Sequence, residues 1–194
     1  MRQDLKIVVV ESDRDRAAVI IDGLREAGWQ DITVLSEPTA LARKLTELGP
    51  DLVLINLENP SRDILEQLSL ASGAAQRPVA MFVDRSDPGL TTAAIEAGLS
   101  AYVVDGLTKE RIKPVLDAAI ARFHYVARMR SELEAAKAAL AERKTIDRAK
   151  GILMRARGLS EDDAYALLRK TAMDQGRKIA EVAQALVTAS ELLQ

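Results

Sequence analysis

Apolar positions change their rhythm along the chain. Up to about residue 122, short apolar runs alternate with amphipathic stretches. The runs predict strands over 5–10, 32–35, 51–56, 79–83 and 101–104, and several are continuous Val/Ile/Leu, as strands buried on both faces require. Helical spacing predicts helices near 14–27, 39–48, 61–72 and 88–97, with a fifth starting after Thr108; Gly28, Gly49 and Gly98 sit where three of them should stop. Five strand–helix units predict an α/β first domain, an open doubly wound parallel sheet, over 1–122. Ligands of such sheets gather beyond the carboxyl ends of the strands.

After residue 108 the rhythm becomes purely helical. No glycine lies between Gly106 and Gly151, and Pro114 falls early enough to stand near a helix start. Ile112, Ala119, Val126, Leu133 and Leu140 recur every seven residues, with Val115, Met129 and Ala136 in the companion series, interrupted by Arg122 and Arg143. That is a heptad seam, read as a helical stalk over 108–142 that overlaps the last helix of the first domain and whose positions Val126, Leu133 and Leu140 join two chains in a parallel coiled coil. A helix that packs on its own domain, or that exchanges between the two arrangements, stays open. His124 reads as an exposed stalk residue.

The last stretch, 140–194, predicts three short helices. Ile146, Ala149, Leu153 and Ala156 form the apolar stripe of the first. Ala164, Leu167, Leu168, Thr171 and Ala172 form that of the second. Ile179, Val182, Ala183, Leu186, Val187 and Ser190 form that of the third. Gly158-Leu159 reads as a helix stop, and Ser160 with Asp163 as the next N-cap.

Charge adds a direction. Residues 1–124 hold 14 basic and 19 acidic residues, whereas 125–194 hold 13 basic and 10 acidic, so the second half suits a polyanion. On the first C-terminal helix, Lys144, Arg148, Gly151 and Arg155 line up opposite the apolar stripe, with Lys150 beside them. A glycine inside a helix costs ~1 kcal/mol relative to alanine, which asks for a reason such as close approach of another backbone. Arg169 and Lys170 flank the second helix. Arg177 and Lys178 stand at the start of the third, where a phosphate would be favoured by both dipole and side chains. Tyr165 is the only aromatic residue there, against a single-strand stacking platform and in favour of a folded nucleic acid held through phosphates. The chain has no cysteine and one histidine, which leaves no thiolate or multi-histidine metal site and no Ser-His or Cys-His machinery. The reading is therefore a non-enzyme without cofactor or metal. The start of the chain is too short in apolar run for a signal peptide and no membrane-length run follows, which points to the cytoplasm.

Two family resemblances sharpen this. Ile7-Val8-Val9-Val10-Glu11-Ser12-Asp13, Pro50-Asp51-Leu52-Val53-Leu54-Ile55-Asn56 and Ala101-Tyr102-Val103-Val104-Asp105 resemble the receiver domains of two-component systems over about the first 120 residues. A working receiver carries an acidic pair after strand 1, a phosphate-accepting Asp after strand 3, a Ser/Thr after strand 4 and a Lys after strand 5. Here those positions fall on Glu11, Ser12 and neighbouring Asp13, on Asn56, on Val83 and on Asp105. An acyl phosphate needs a carboxylate nucleophile, and the Asn56 amide is none; the hydroxyl and the cation are missing too. The resemblance thus implies a flavodoxin-like five-stranded fold and a pseudo-receiver that is not phosphorylated. Glu11, Asp13, Asp84 and Asp105 could gather round a cation, but solvated carboxylates at the sheet edge are the simpler reading.

Arg143-Lys144-Thr145-Ile146-Asp147-Arg148-Ala149-Lys150-Gly151-Ile152-Leu153-Met154, Gly158 to Tyr165 and Leu167 to Met173 are similar to the ANTAR domain. That resemblance implies a dimer that binds paired hairpins in nascent RNA and forestalls a terminator. With Phe82-Val83-Asp84 and Asn59-Pro60-Ser61-Arg62-Asp63, the order of domains looks closest to the NasT type, which implies control of nitrate and nitrite assimilation genes and a nitrate-sensing partner protein that sequesters the regulator. Two rivals remain: a DNA-binding transcription regulator, although neither later helix starts with a polar face for reading the major groove beyond Arg177 and Lys178, and an interaction adaptor that binds no nucleic acid.

Overall fold

The computed structural model describes residues 5–37, 41–58, 60–74, 76–87 and 89–192, apart from the side chain of Ser72. Positions 39, 40 and 88 of two expected helix starts, and Asn59, lie outside them. The chain divides into two compact units, 1–127 and 128–194.

The first unit alternates β1 (Ile7–Val10), α1 (Arg14–Glu26), β2 (Ile32–Leu35), α2 (Leu41–Leu48), β3 (Leu52–Leu57), α3 (Arg62–Ser72), β4 (Val79–Val83), α4 (Leu90–Glu96) and β5 (Ala101–Val103). All five strands run parallel in the order β2-β1-β3-β4-β5. This is the doubly wound sheet expected from the sequence, with strand ends differing by one or two residues. Alternate residues feed opposite faces, because strand side chains alternate. Ile7, Val9, Leu52, Leu54 and Phe82 pack with Ile20 and Leu24 of α1. Val8, Val10, Val53, Ile55 and Met81 pack with Leu45, Leu65, Leu90 and Ala94 of the other three helices. Each such side chain, fully buried, contributes about 1.5–3 kcal/mol.

The fifth helix, α5 (Lys109–Arg157), is continuous over 49 residues, begins in the first unit and ends in the second. Its early part takes one of the arrangements left open by the heptad and packs on its own domain. Ile112 and Ala119 are fully buried, and with Leu116 they complete the sheet face covered by α1. The two helices touch at Gly23, where an added Cβ would stand 2.4 Å from Ile112 Cδ1. Lys109 reinforces the contact through Glu26 and Asp22 at 3.1 and 3.6 Å. Beyond this point the apolar positions are bare: Val126, Leu133 and Leu140 are 37, 54 and 55% exposed.

In the second unit the end of α5 packs with α6 (Glu161–Asp174) and α7 (Ile179–Leu192). Ala149, Leu153, Ala164, Leu168, Ala172, Val182, Ala183 and Val187 are its buried centre. Ala156, expected in the core stripe, is exposed, and Ile152 packs there instead. Gly158 ends α5 at φ +64°, and Ser160 Oγ accepts from Asp163 N at 3.1 Å, which caps α6 as expected. No helix among the described residues is long and apolar enough to cross a membrane.

Candidate functional site

Two groups of polar residues stand out, one in each unit. The first lies at the carboxyl ends of β1, β3, β4 and β5. Asp13 caps α1 by accepting from Arg16 N at 2.8 Å, and this aims the first turn of α1 at the strand ends. Glu11, only 2% exposed, is fully engaged. Its Oε1 accepts from Asp13 N at 2.8 Å, and its Oε2 accepts from Asn56 Nδ2 at 2.5 Å. Arg16 then ties three carboxylates together, standing 3.5 Å from Glu11, 3.1 Å from Glu58 and 3.4 Å from Asp84.

Glu11 and Asn56 therefore meet. Ser12 is exposed, and Val83 is buried on the α2–α4 side of the sheet. Asp105 lies at the end of β5 with φ +74°, the single described non-glycine residue in that region. This conformation is rare for side-chain-bearing residues but least costly for Asp and Asn. The next residue, Gly106, also has positive φ, and a Cβ there would stand 2.9 Å from Asp84 Oδ1. No group of three or more acidic or histidine side chains is arranged to hold a metal among the described residues. Sequence reasoning missed Arg16 and Glu58. Arg16 meets its carboxylates across 5 to 68 positions of chain, which no local spacing reveals. The one available signal was an excess of acid at the strand ends that called for a cation.

The second group is the basic surface of the second unit. Lys144, Arg155, Arg169, Lys170 and Lys178 are exposed. Arg155 folds back so that its Nη1 stands 3.5 Å from where a Gly151 Cβ would be, an ordinary contact. Arg148 is exposed but pairs with Glu191 near the end of α7 at 2.8 Å. Arg177 pairs with Glu181 one turn on at 3.3 Å, so part of its conflict with the α7 dipole is met by an acid in the first turn. Lys150 behaves differently from the rest. Its side chain is 15% exposed and lies 2.7 Å from both Asp147 and Glu161, which clasps α5 to the first residue of α6. The hydrogen bond from Lys150 holds the Asp147 carboxyl below its ordinary value, and the bonds to Asp147 and Glu161 raise the Lys150 ammonium. Spacing on one helix could not show this commitment, because Glu161 lies on another.

Residues 134–187 match the ANTAR domain. Over 94% of its length the chain is 26% identical to the transcriptional regulatory protein PdtaR of Mycobacterium tuberculosis H37Rv, covering 89% of that protein. A 69-residue stretch, 36% of the chain, is 41% identical to the nitrate regulatory protein of Klebsiella oxytoca, and it covers 17% of that protein. Among solved structures, the signal receiver domain of a modulated diguanylate cyclase from Desulfovibrio desulfuricans G20 superposes with a TM-score of 0.51 at 16% identity, over 63% of this chain and 98% of its own. That likeness concerns the fold.

Proposed function

Because the chain belongs to the ANTAR-domain response regulators, with a receiver fold ahead of the ANTAR domain, we propose that it is an RNA-binding transcription antitermination regulator that acts as a dimer. The observation that carries this reading is the match of 134–187 to the ANTAR domain on the unit that exposes Lys144, Arg155, Arg169, Lys170 and Lys178. Cations spread over one small domain with a single aromatic residue suit phosphates of folded RNA hairpins. Arg148 and Arg177 join the contact by exchanging Glu191 and Glu181 for phosphate, since both ion pairs are solvent-exposed and weak. Lys150 contributes by fixing α6 against α5. Gly151 lets a backbone approach when Arg155 swings aside.

In this reading 1–122 is the pseudo-receiver, 108–142 the stalk and 140–194 the RNA-binding domain, in the cytoplasm. Val126, Leu133 and Leu140, bare in the single chain, form the seam between two chains. Control comes from a partner protein, not from phosphorylation, because Asn56 offers an amide whose nitrogen is already donated to Glu11. Nitrate and nitrite assimilation genes are the proposed targets and a nitrate-sensing protein the proposed partner. The likeness to the nitrate regulatory protein supports this through the C-terminal stretch alone.

Selection from a random pool of paired hairpins, followed by transcription of the selected leader ahead of a terminator, tests the proposal. The expected result is enrichment of a two-hairpin class and read-through on adding the protein. Equal retention of hairpin RNA and duplex DNA, with termination unchanged, would leave the DNA-binding or adaptor reading.

A further inference from the structure

A cleft of about 310 Å³ opens at the strand ends of the first unit. Its lining is chemically two-sided. Val19, Ile20 and Leu107 supply aliphatic surface, while Asp15, Asp84 and Asp105 supply carboxylates. Arg16 is the one cationic side chain in the lining, and it is already shared among Glu11, Glu58 and Asp84. Asp15 and Asp105 make no ion pair among the described residues, so the cleft keeps an uncompensated negative charge.

A separate observation points to a ligand. Asn56 also lines the cleft and is 4% exposed, yet its Oδ1 has no hydrogen-bond partner among the described residues. The orientation of the amide is not arbitrary. The Glu11 carboxylate can only accept, so Nδ2 must face it and Oδ1 must be the free end. A buried acceptor without a donor is unfavourable and asks for one.

We propose that this cleft binds a primary alkylammonium group. Its three N–H donors match three acceptors, Asn56 Oδ1 and the carboxylates of Asp84 and Asp105, and its chain lies on Val19, Ile20 and Leu107. An anion is disfavoured by the net charge. A bare divalent ion gains nothing from the aliphatic half of the lining. A planar guanidinium spreads its donors in a fork, whereas an ammonium presents three at a point. The same chemistry is carried by a free short-chain amine and by a lysine side chain offered by another protein. The inference does not depend on RNA binding.

The test is an NMR titration of the isotopically labelled full chain at constant ionic strength. The observed signals are the Asn56 side-chain amide and the backbone amides of Asp105, Gly106 and Leu107. The probes are n-butylammonium, N-acetyl-lysine N-methylamide, tetramethylammonium and Mg²⁺. Saturable shifts of these signals with an amine, absent with tetramethylammonium, are expected. Tighter binding of butylammonium assigns the site to free amines, and tighter binding of the lysine amide to a protein side chain. Asp105→Asn keeps a residue type that tolerates positive φ, so it should leave the fold intact while weakening the amine about fivefold through loss of one charge. Three results would each overturn the proposal: no saturable shift with either amine, equal shifts with tetramethylammonium, or unchanged affinity in Asp105→Asn. Saturation by Mg²⁺ alone would replace it with a metal site.

Discussion

The two halves of α5 carry the same seven-residue apolar rhythm and meet different fates. Ile112 and Ala119 disappear into the sheet face beside α1, whereas Val126, Leu133 and Leu140 stay bare. A heptad states that one face of a helix wants cover. It does not state whether the cover belongs to the same chain. What separates the halves here is cover within the chain: the first lies against Ile20 and Leu24 of α1 and the sheet, with a close approach at Gly23.

That contrast can be broken most severely at its buried end. Ile112→Asp should cost more than about 4 kcal/mol by placing an unpaired carboxylate in the core, and the first unit should no longer melt cooperatively in calorimetry. At concentrations too low for two chains to associate, the same change at Leu133 should leave the melting of both units within about 0.5 kcal/mol, because the side chain of the single chain is exposed. Its effect should appear in assembly. Sedimentation equilibrium should show the dimer of Leu133→Asp weakened about a hundredfold, and two-hairpin RNA should bind more weakly with it. Unchanged association would mean that the bare half of α5 is not a seam between chains.

A smaller effect tests the clasp that orients the end of α5. Lys150→Ala should speed hydrogen exchange in the first turn of α6 while leaving the sheet untouched. The sign with pH follows from the shifts. Asp147 is held below its ordinary value of 3.8, so its contribution is complete above that value and is lost as pH falls through the lowered one. Lys150 is raised above 10.5, so its contribution is complete below that value and is lost as pH rises through the raised one. Exchange in α6 should therefore be flat between about pH 5 and 9, after correction for the intrinsic rate. Asp147→Asn should remove the acid limb and shrink the alkaline one, since Asp147 is the first cause of the raised Lys150 ammonium.

The smallest expected effect is a null one. Asn56→Asp treated with acetyl phosphate and Mg²⁺ should show no gain of a phosphoryl group in its intact mass. The new carboxylate would face Glu11 across the 2.5 Å now bridged by an N–H, and Val83 and Asp105 would still lack the hydroxyl and the cation.

Most of the fold was legible in the sequence because strand burial and helix stops are local events. The continuous runs at 7–10, 52–57 and 79–83 formed central strands, and Gly28, Gly49, Gly98 and Gly158 took the positive φ that ends a helix. The candidate sites were legible only as lists of residues. Which cations are free depends on partners far along the chain. Arg148 finds Glu191, Lys150 finds Glu161 and Arg16 finds Asp84, and none of these pairs shares a helix face. The cover of Ile112 and Ala119 stayed open for a related reason, since helical period is the same whether the opposing surface is a sheet or a second helix.

The central claim is that the second unit holds folded RNA through phosphates, and the salt dependence of binding reads this most directly. Affinity of the full chain for a two-hairpin RNA should be measured over a series of salt concentrations beside Lys144→Ala and Arg155→Ala, with melting temperatures recorded for both. The account predicts tight hairpin binding whose log–log salt slope becomes shallower by about one unit for each cation removed, with the fold unchanged. Affinity and slope unchanged in both variants, or hairpin RNA bound no better than duplex DNA, would contradict it.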